Sequence, residues 1–132
     1  MLSLDKGLQD MCFLIADDES DNLETLTYAI TFMGGTTRTA TNGREVLDAL
    51  EELTPTLILL DLSMPEMDGW QTLKSIKARK EILHIPVIAV TAHAMADDRE
   101  KVMAAGFDGY IAKPFRPSQL VEEIRRALTP AY

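Results

Sequence analysis

The sequence predicts an α/β fold, a doubly wound parallel sheet of five strands in the order 2-1-3-4-5 with five helices. Three observations carry the prediction. Five short apolar or β-branched runs alternate with five stretches of helical spacing, the pattern of a parallel sheet whose crossovers are helices. Three of the runs, Met11–Ala16, Leu57–Leu60 and Pro86–Thr91, are almost continuously apolar, as strands buried on both faces are. The other two, polar Thr36–Ala40 and short Gly109–Ala112, suit the edges of a sheet. Right-handed crossovers then give the order 2-1-3-4-5, in which the chain reverses direction between strands one and three.

Residues 1–10 carry Asp5, Lys6 and Asp10 and lack the apolar core of a secretory signal. They are expected to be a loose or partly helical lead-in to a domain spanning 11–128, with 129–132 a short tail. After the first strand, Leu23, Leu26, Ile30 and Met33 mark one face of a helix that Gly34-Gly35 ends. Asn42 is placed to cap a second helix carrying Val46, Leu47, Leu50 and Leu53. Pro55 separates that helix from the central strand. Trp70, Leu73 and Ile76 form the face of a third helix, which fades in Lys77–Lys80. A fourth helix over Met95–Ala105 has a thin apolar stripe (Met95, Val102, Met103) and stops at Gly106. Pro117 opens a fifth, with Leu120, Ile124 and Leu128 on one side and the charged Glu122-Glu123 and Arg125-Arg126 exposed.

Composition narrows the function. The 132 residues suffice for one domain with a real core. A formal charge of −8 argues against non-specific binding to nucleic acid, which needs Lys and Arg to neutralise phosphates. It is compatible with a cation site. The lone Cys12 excludes an internal disulfide and, lying in an apolar run, reads as a buried inert thiol. No apolar run approaches a membrane span, so a cytoplasmic location is expected. His84 and His93 stand at opposite ends of strand four with no cysteine nearby and read as solvated side chains rather than zinc ligands.

The chemistry lies where the strands end. In open α/β sheets ligands bind outside the carboxyl ends of the strands, at the crevice where the strand order reverses. Asp17 and Asp18 follow strand one and Asp61 ends strand three, so all three converge on that crevice. Alone, Asp61 reads equally well as a turn cap; the convergence favours a site. Carboxylates so gathered resist ionisation unless a cation joins them, and Mg²⁺ suits a few carboxylates with waters and a phosphate. The hydroxyl of Thr91 and the ammonium of Lys113 end strands four and five at the same rim. Together these groups describe phosphoryl transfer onto an aspartate.

With these residues in place, the chain closely resembles the receiver domain of two-component response regulators. The match comprises Asp17-Asp18, Asp61 followed by Met64-Pro65 and Asp68-Gly69, Thr91-Ala92, and Tyr110 followed by Lys113-Pro114, over about residues 11–128. The resemblance implies the flavodoxin-like sheet, and the order 2-1-3-4-5 is itself that known of chemotaxis receivers. It further implies that Asp61 accepts a phosphoryl group from a phosphohistidine on a histidine kinase or histidine phosphotransfer protein. Asp18, Asp61 and the Ser63 backbone carbonyl would ligate Mg²⁺, with Asp17 acting through water. Lys113 and the Ala92 backbone would bind the phosphoryl group, and the Lys113–Pro114 bond would be cis. Thr91 and Tyr110 would switch, repacking a surface of helix four, strand five and helix five for a downstream protein. Ser63 and His93 occupy positions that vary in the family and tune phosphoryl lifetime. No membrane or nucleic-acid contact is implied.

Two other classes compete. A Mg²⁺-dependent phosphatase of the haloacid dehalogenase type also places an aspartate nucleophile after a core strand, but its second acid two residues later is here Ser63. A nucleotide-binding module would need a Gly-rich loop after strand one. The chain is expected to be a free-standing regulator, with a receiver excised from a hybrid kinase as the alternative.

Overall fold

Leu57–Asp61 is buried along its whole length, and the sheet is laid out on either side of it. The computed structural model of the chain describes residues 8–82, 84–92, 96–114 and 116–128, and of residues 96, 97 and 128 the backbone. In chain order the elements are β1 (Cys12–Ala16), α1 (Ser20–Phe32), β2 (Thr36–Ala40), α2 (Gly43–Glu52), β3 (Leu57–Asp61), α3 (Gly69–Lys77), β4 (Val87–Thr91), α4 (Ala96–Ala105), β5 (Gly109–Ala112) and α5 (Leu120–Leu128). Short 3-10 turns, Lys80–Ile82 and Pro117–Gln119, precede β4 and α5. All strand pairs are parallel, in the order β2-β1-β3-β4-β5.

Alternate residues of the central strands serve opposite faces, as the two-residue strand period requires. Leu14, Ile58, Leu60 and Ala89 join Val46, Leu50, Leu73, Ile76 and Val102, so α2, α3 and α4 cover one face. Phe13, Ile15, Leu57, Leu59, Ile88 and Val90 join Leu23, Leu26, Ile30, Leu120 and Ile124, so α1 and α5 cover the other. Each large side chain buried this way contributes about 1.5–3 kcal/mol relative to exposure. With both faces used, β3 has no polar side until its last residue.

Local signals hold at several boundaries. Asn42 Oδ1 accepts the Glu45 N–H at 2.9 Å and caps α2. Gly34 and Gly106, with φ of +97° and +108°, follow α1 and α4. Strand four starts at Val87 rather than Pro86, since proline has no N–H for the ladder. Pro117 opens the 3-10 turn, and α5 proper begins at Leu120.

Three expectations are corrected by packing. Trp70 is 38% exposed and rests edge-on against Phe107, while Thr72 (0%) joins Leu73 and Ile76 on the inner face of α3. A reciprocal capping box of Asp68 and Gln71 starts the helix, and beneath it the close-packed space at Gly43 and Met67 takes the small Thr72. Cys12 is half-buried, not enclosed, because it is the first residue of its strand. The third correction concerns the lead-in, of which residues 8–10 are described. Leu8 is fully buried in the α1–α5 core, and its N–H donates to the Met33 carbonyl at 3.0 Å. Leu8 therefore belongs to the domain that was expected to begin at residue 11. Residues 1–7, 129–132, His93 and Met95 lie outside the described residues. No helix among the described residues is long and apolar enough to cross a membrane.

Burial of Leu8 has a measurable consequence. Leu8→Ala should lower unfolding free energy by about 2–4 kcal/mol, as large-to-small core changes do, read from urea midpoints. A change within about 0.5 kcal/mol, typical of surface positions, would show that the segment only rests on the fold.

Candidate functional site

Asp61 is the last residue of β3, where a strand apolar on both faces runs out into the crevice beside β1. Asp17 and Asp18 leave β1 at the same edge. One carboxylate oxygen from each of the three lies within 4.8 Å of the others, with Asp17 and Asp61 buried and Asp18 exposed. Asp17 is held on three sides. Its Oδ1 accepts the Glu19 N–H at 3.0 Å, and its Oδ2 accepts from Asn22 Nδ2 at 3.2 Å and from Lys113 Nζ at 2.8 Å. Asp61 Oδ1 accepts the Ser63 N–H at 3.2 Å and lies 3.6 Å from Lys113 Nζ.

Burial pushes the Asp61 carboxyl up to about 6, with the charge of Asp17 next and that of Asp18 adding less; Lys113 and the Ser63 N–H pull the other way. For Lys113, burial opposes the charged form. The hydrogen bond to Asp17 and the charges of Asp61 and Asp17 outweigh it, so its pKa is raised and the side chain is a firm cation. The crevice thus holds one carboxyl, that of Asp61, that resists ionisation beside an ammonium that favours its charge.

The other expected residues fall at two depths. Thr91 ends β4 and is buried, and its carbonyl accepts the Lys113 N–H at 2.8 Å, tying the exit of β5 to that of β4. The Lys113–Pro114 peptide bond is cis. Exposed Ala92 lines, with Asn22, Thr25, Lys113 and Pro114, a groove of about 320 Å³ next to the acids. Ser63 is exposed directly beyond Asp61. Tyr110 stands back from the rim, half-buried in β5 and packed on the α2–α4 core. Burial, and then Asp98, raise the pKa of its hydroxyl. Exposed His84 precedes β4, at the end of that strand away from the acids.

Two contributors escaped sequence reasoning. Asn22 lies in the first turn of α1, just before the first apolar-stripe position Leu23, and nothing in its spacing points to Asp17. In the sequence Gly69 stands only as part of the family match, yet its physical role is close approach. A Cβ there would overlap the Asp61 carbonyl oxygen and lie 2.8 Å from Leu62 Cα. The N–H of Gly69 donates to the Leu62 carbonyl at 3.1 Å, folding the loop back on the strand end.

The donor set is all oxygen, with three carboxylates facing one ammonium, which fits a small hard divalent cation. An aspartate beside a lysine and a cation site also fits a nucleophile for phosphoryl transfer.

Comparison with known proteins agrees with this geometry. A family model described as the response regulator receiver domain matches residues 13–125. The chain is 38% identical over 118 residues to the polar-differentiation response regulator DivK of Brucella anthropi, covering 89% of this chain and 96% of that one. The chemotaxis response regulator CheY4 of Vibrio cholerae superposes with a TM-score of 0.83 over 89% of this chain and 98% of its own, a likeness of fold at 24% identity. A CheY-like response regulator receiver domain protein of Methanospirillum hungatei matches with a TM-score of 0.77 at 29% identity, over 89% and 93% of the two chains.

The raised pKa of Asp61 sets the sign of a pH effect. Below its ordinary value of 3.8 the carboxyl is protonated in both folded and unfolded chains. As pH rises towards 6 the unfolded chain loses this proton first, so stability falls, and it stays lower at higher pH. Two pKa units correspond to about 3 kcal/mol. In EDTA, Asp61→Asn should therefore be more stable than the parent above pH 6 by about 1–3 kcal/mol, narrowing towards zero near pH 4. Urea titrations across that range check it, and a pH-independent difference would contradict it.

Proposed function

The chain belongs to the response regulator receiver domain family, and from that premise we propose that it is a phosphorylation-dependent switch whose phosphoacceptor is Asp61. The observation that most supports this is the buried Asp61 carboxylate, 3.6 Å from Lys113 Nζ and clustered with Asp17 and Asp18. With a pKa of about 6, Asp61 is mostly ionised at neutral pH yet poorly solvated, a condition that favours attack. An Asp61 oxygen forms a bond to phosphorus as the phosphorus–nitrogen bond of a partner's phosphohistidine breaks, and the imidazole departs with the electron pair. Lys113 needs only a small movement to leave Asp17 and meet a phosphoryl oxygen. The Thr91 hydroxyl and the Ala92 backbone would bind the others. Asp18, Asp61 and the Ser63 carbonyl would hold Mg²⁺, with Asp17 acting through water. When bound, that ion offsets the mutual repulsion of the acids and the charge of the transferred group.

A phosphatase of the haloacid dehalogenase type would place a general acid two residues beyond its nucleophile. Here that residue is Ser63, which cannot protonate a leaving group in that way. The partners in this reading are a histidine kinase or histidine phosphotransfer protein upstream and a protein that binds the α4–β5–α5 surface downstream. Among the described side chains of α4, Val102 is the buried one. A helix that buries so little is cheap to shift, which suits it to carry the output. Phosphorylation would draw Thr91 inward and let Tyr110 turn towards the core, biasing two states that pre-exist within a few kcal/mol.

Acetyl phosphate with Mg²⁺ should add one phosphoryl mass, labile to base and hydroxylamine, with no sustained turnover of p-nitrophenyl phosphate. EDTA or Asp61→Asn should abolish the adduct. An unchanged adduct in Asp61→Asn would sink the assignment.

The switch is tested separately by amide NMR with beryllofluoride, in which BeF₃⁻ on Asp61 stands in for the phosphoryl group. Shifts should run from the site through Thr91 into residues 95–128 and weaken in Thr91→Ala. Shifts confined to the surroundings of Asp61 would leave a phosphorylation site without this switch.

A further inference from the structure

The loop joining β3 to α3, residues 62–68, carries Ser63 directly beside Asp61, so its shape sets the site. That shape is not relaxed. Glu66 has a φ of +64°, in the left-handed region. A non-glycine residue there costs on the order of 1–3 kcal/mol and persists only where its surroundings enforce it. Next to it, the Met67 N–H closes a tight turn on the Pro65 carbonyl at 2.6 Å.

The enforcing contacts come from α2, more than twenty residues earlier in the chain. Gly43, the first residue of α2, donates its N–H to the Met67 carbonyl at 3.0 Å. Asn42 uses both ends of its amide. Its Oδ1 caps α2 through the Glu45 N–H, and its Nδ2 donates to Glu66 Oε2 at 3.1 Å. The backbone approach is so close that a side chain at Gly43 has no room. A Cβ there would overlap Thr72 Oγ1 and lie 2.6 Å from Met67 Cγ and 2.8 Å from the Met67 carbonyl oxygen. Thr72 cannot readily yield, being fully buried with its hydroxyl donating to the Asp68 carbonyl at 2.6 Å. Just beyond Met67 and Asp68, Gly69 is pressed against the Asp61 backbone. The α3 end of the loop is therefore pinned both to the strand end at Asp61 and to α2.

We propose that Asn42 and Gly43 are positioning residues for the Asp61 site, clamping the β3–α3 loop through Glu66 and Met67 so that Ser63 is held where it serves Asp61 and the cation. The clamp acts on the Glu66 side chain and the Met67 backbone and touches no reacting atom. It rests on the reading of Asp61, Asp18 and the Ser63 carbonyl as the Mg²⁺ site.

Gly43→Ala and Asn42→Ser test it. Serine keeps a hydroxyl to cap α2 but lacks the amide donor to Glu66, so it separates capping from clamping. Val46→Ala, which hollows the core under α2 but keeps Asn42, Gly43 and their partners Glu66 and Met67, controls for lost stability. Magnesium affinity is measured by calorimetry, and exchange of the Ser63 and Gly69 amides is followed in metal-free protein. Both test variants should exchange these amides faster. Gly43→Ala should weaken Mg²⁺ binding by about 10- to 100-fold, the range for groups that orient metal ligands, while Val46→Ala leaves it within about twofold. Wild-type affinity and exchange in both test variants would overturn the clamp while leaving the phosphoacceptor reading intact. A loss in Val46→Ala equal to that in Gly43→Ala would reduce Gly43 to a stability role and likewise overturn it. Failure of the wild type to bind Mg²⁺ would overturn the clamp together with the reading it rests on.

Discussion

Everything at the carboxyl edge of the sheet follows from placing an acid at the end of a strand that is buried on both faces. Asp61 cannot retreat into solvent, because Leu59 and Leu60 behind it are locked into the two cores. Asp17 is equally enclosed one strand away. Two buried carboxylates and a third at the surface repel one another, and Lys113, bonded to Asp17 and near Asp61, offsets only part of that. The resting chain therefore stores an electrostatic penalty where a cation and a phosphoryl group would act.

That penalty needs a rigid mount, and the structure is uneven in rigidity. The α2–α3 side of Asp61 is tied by backbone hydrogen bonds, a capping box and two close glycine approaches. The α4 side is not: among its described side chains little apolar surface faces the core. On the proposed reading, a fixed loop on one flank and a lightly packed helix on the other would channel a change at Asp61 towards α4 and β5 rather than α2. Packed cores resist graded deformation, so such a displacement would go where packing is thin.

Where sequence and structure agree, the signal was local. The cap at Asn42, the stops at Gly34 and Gly106 and the apolar runs of β1, β3 and β4 each depend on residues within a few positions. Departures came where a distant neighbour decided. Trp70 fits the apolar spacing of α3 as well as Thr72 does, but the space beneath the helix, filled by Gly43 and Met67, admits the smaller side chain. Leu8 belongs to a charged opening segment, and the apolar floor left by α1, β1 and α5 explains its burial. Asn22 reaches Asp17 because α1 starts where β1 ends, a matter of helix rotation that spacing alone leaves open.

The sequence by itself determined the five alternating elements, the strand order and which strand ends carry acids, hydroxyl and lysine. These follow from periodicity and from the handedness of crossovers, which act along the chain. Tertiary structure alone decided that Lys113 pairs with Asp17, 96 residues away, at 2.8 Å and stands farther from Asp61. It alone decided that Gly43 must be bare and that Asn42 reaches Glu66. Strand ends can be assigned to one rim from topology, but distances across that rim depend on how helices of fixed volume settle on the sheet. That is a property of packing, which no short stretch of sequence encodes.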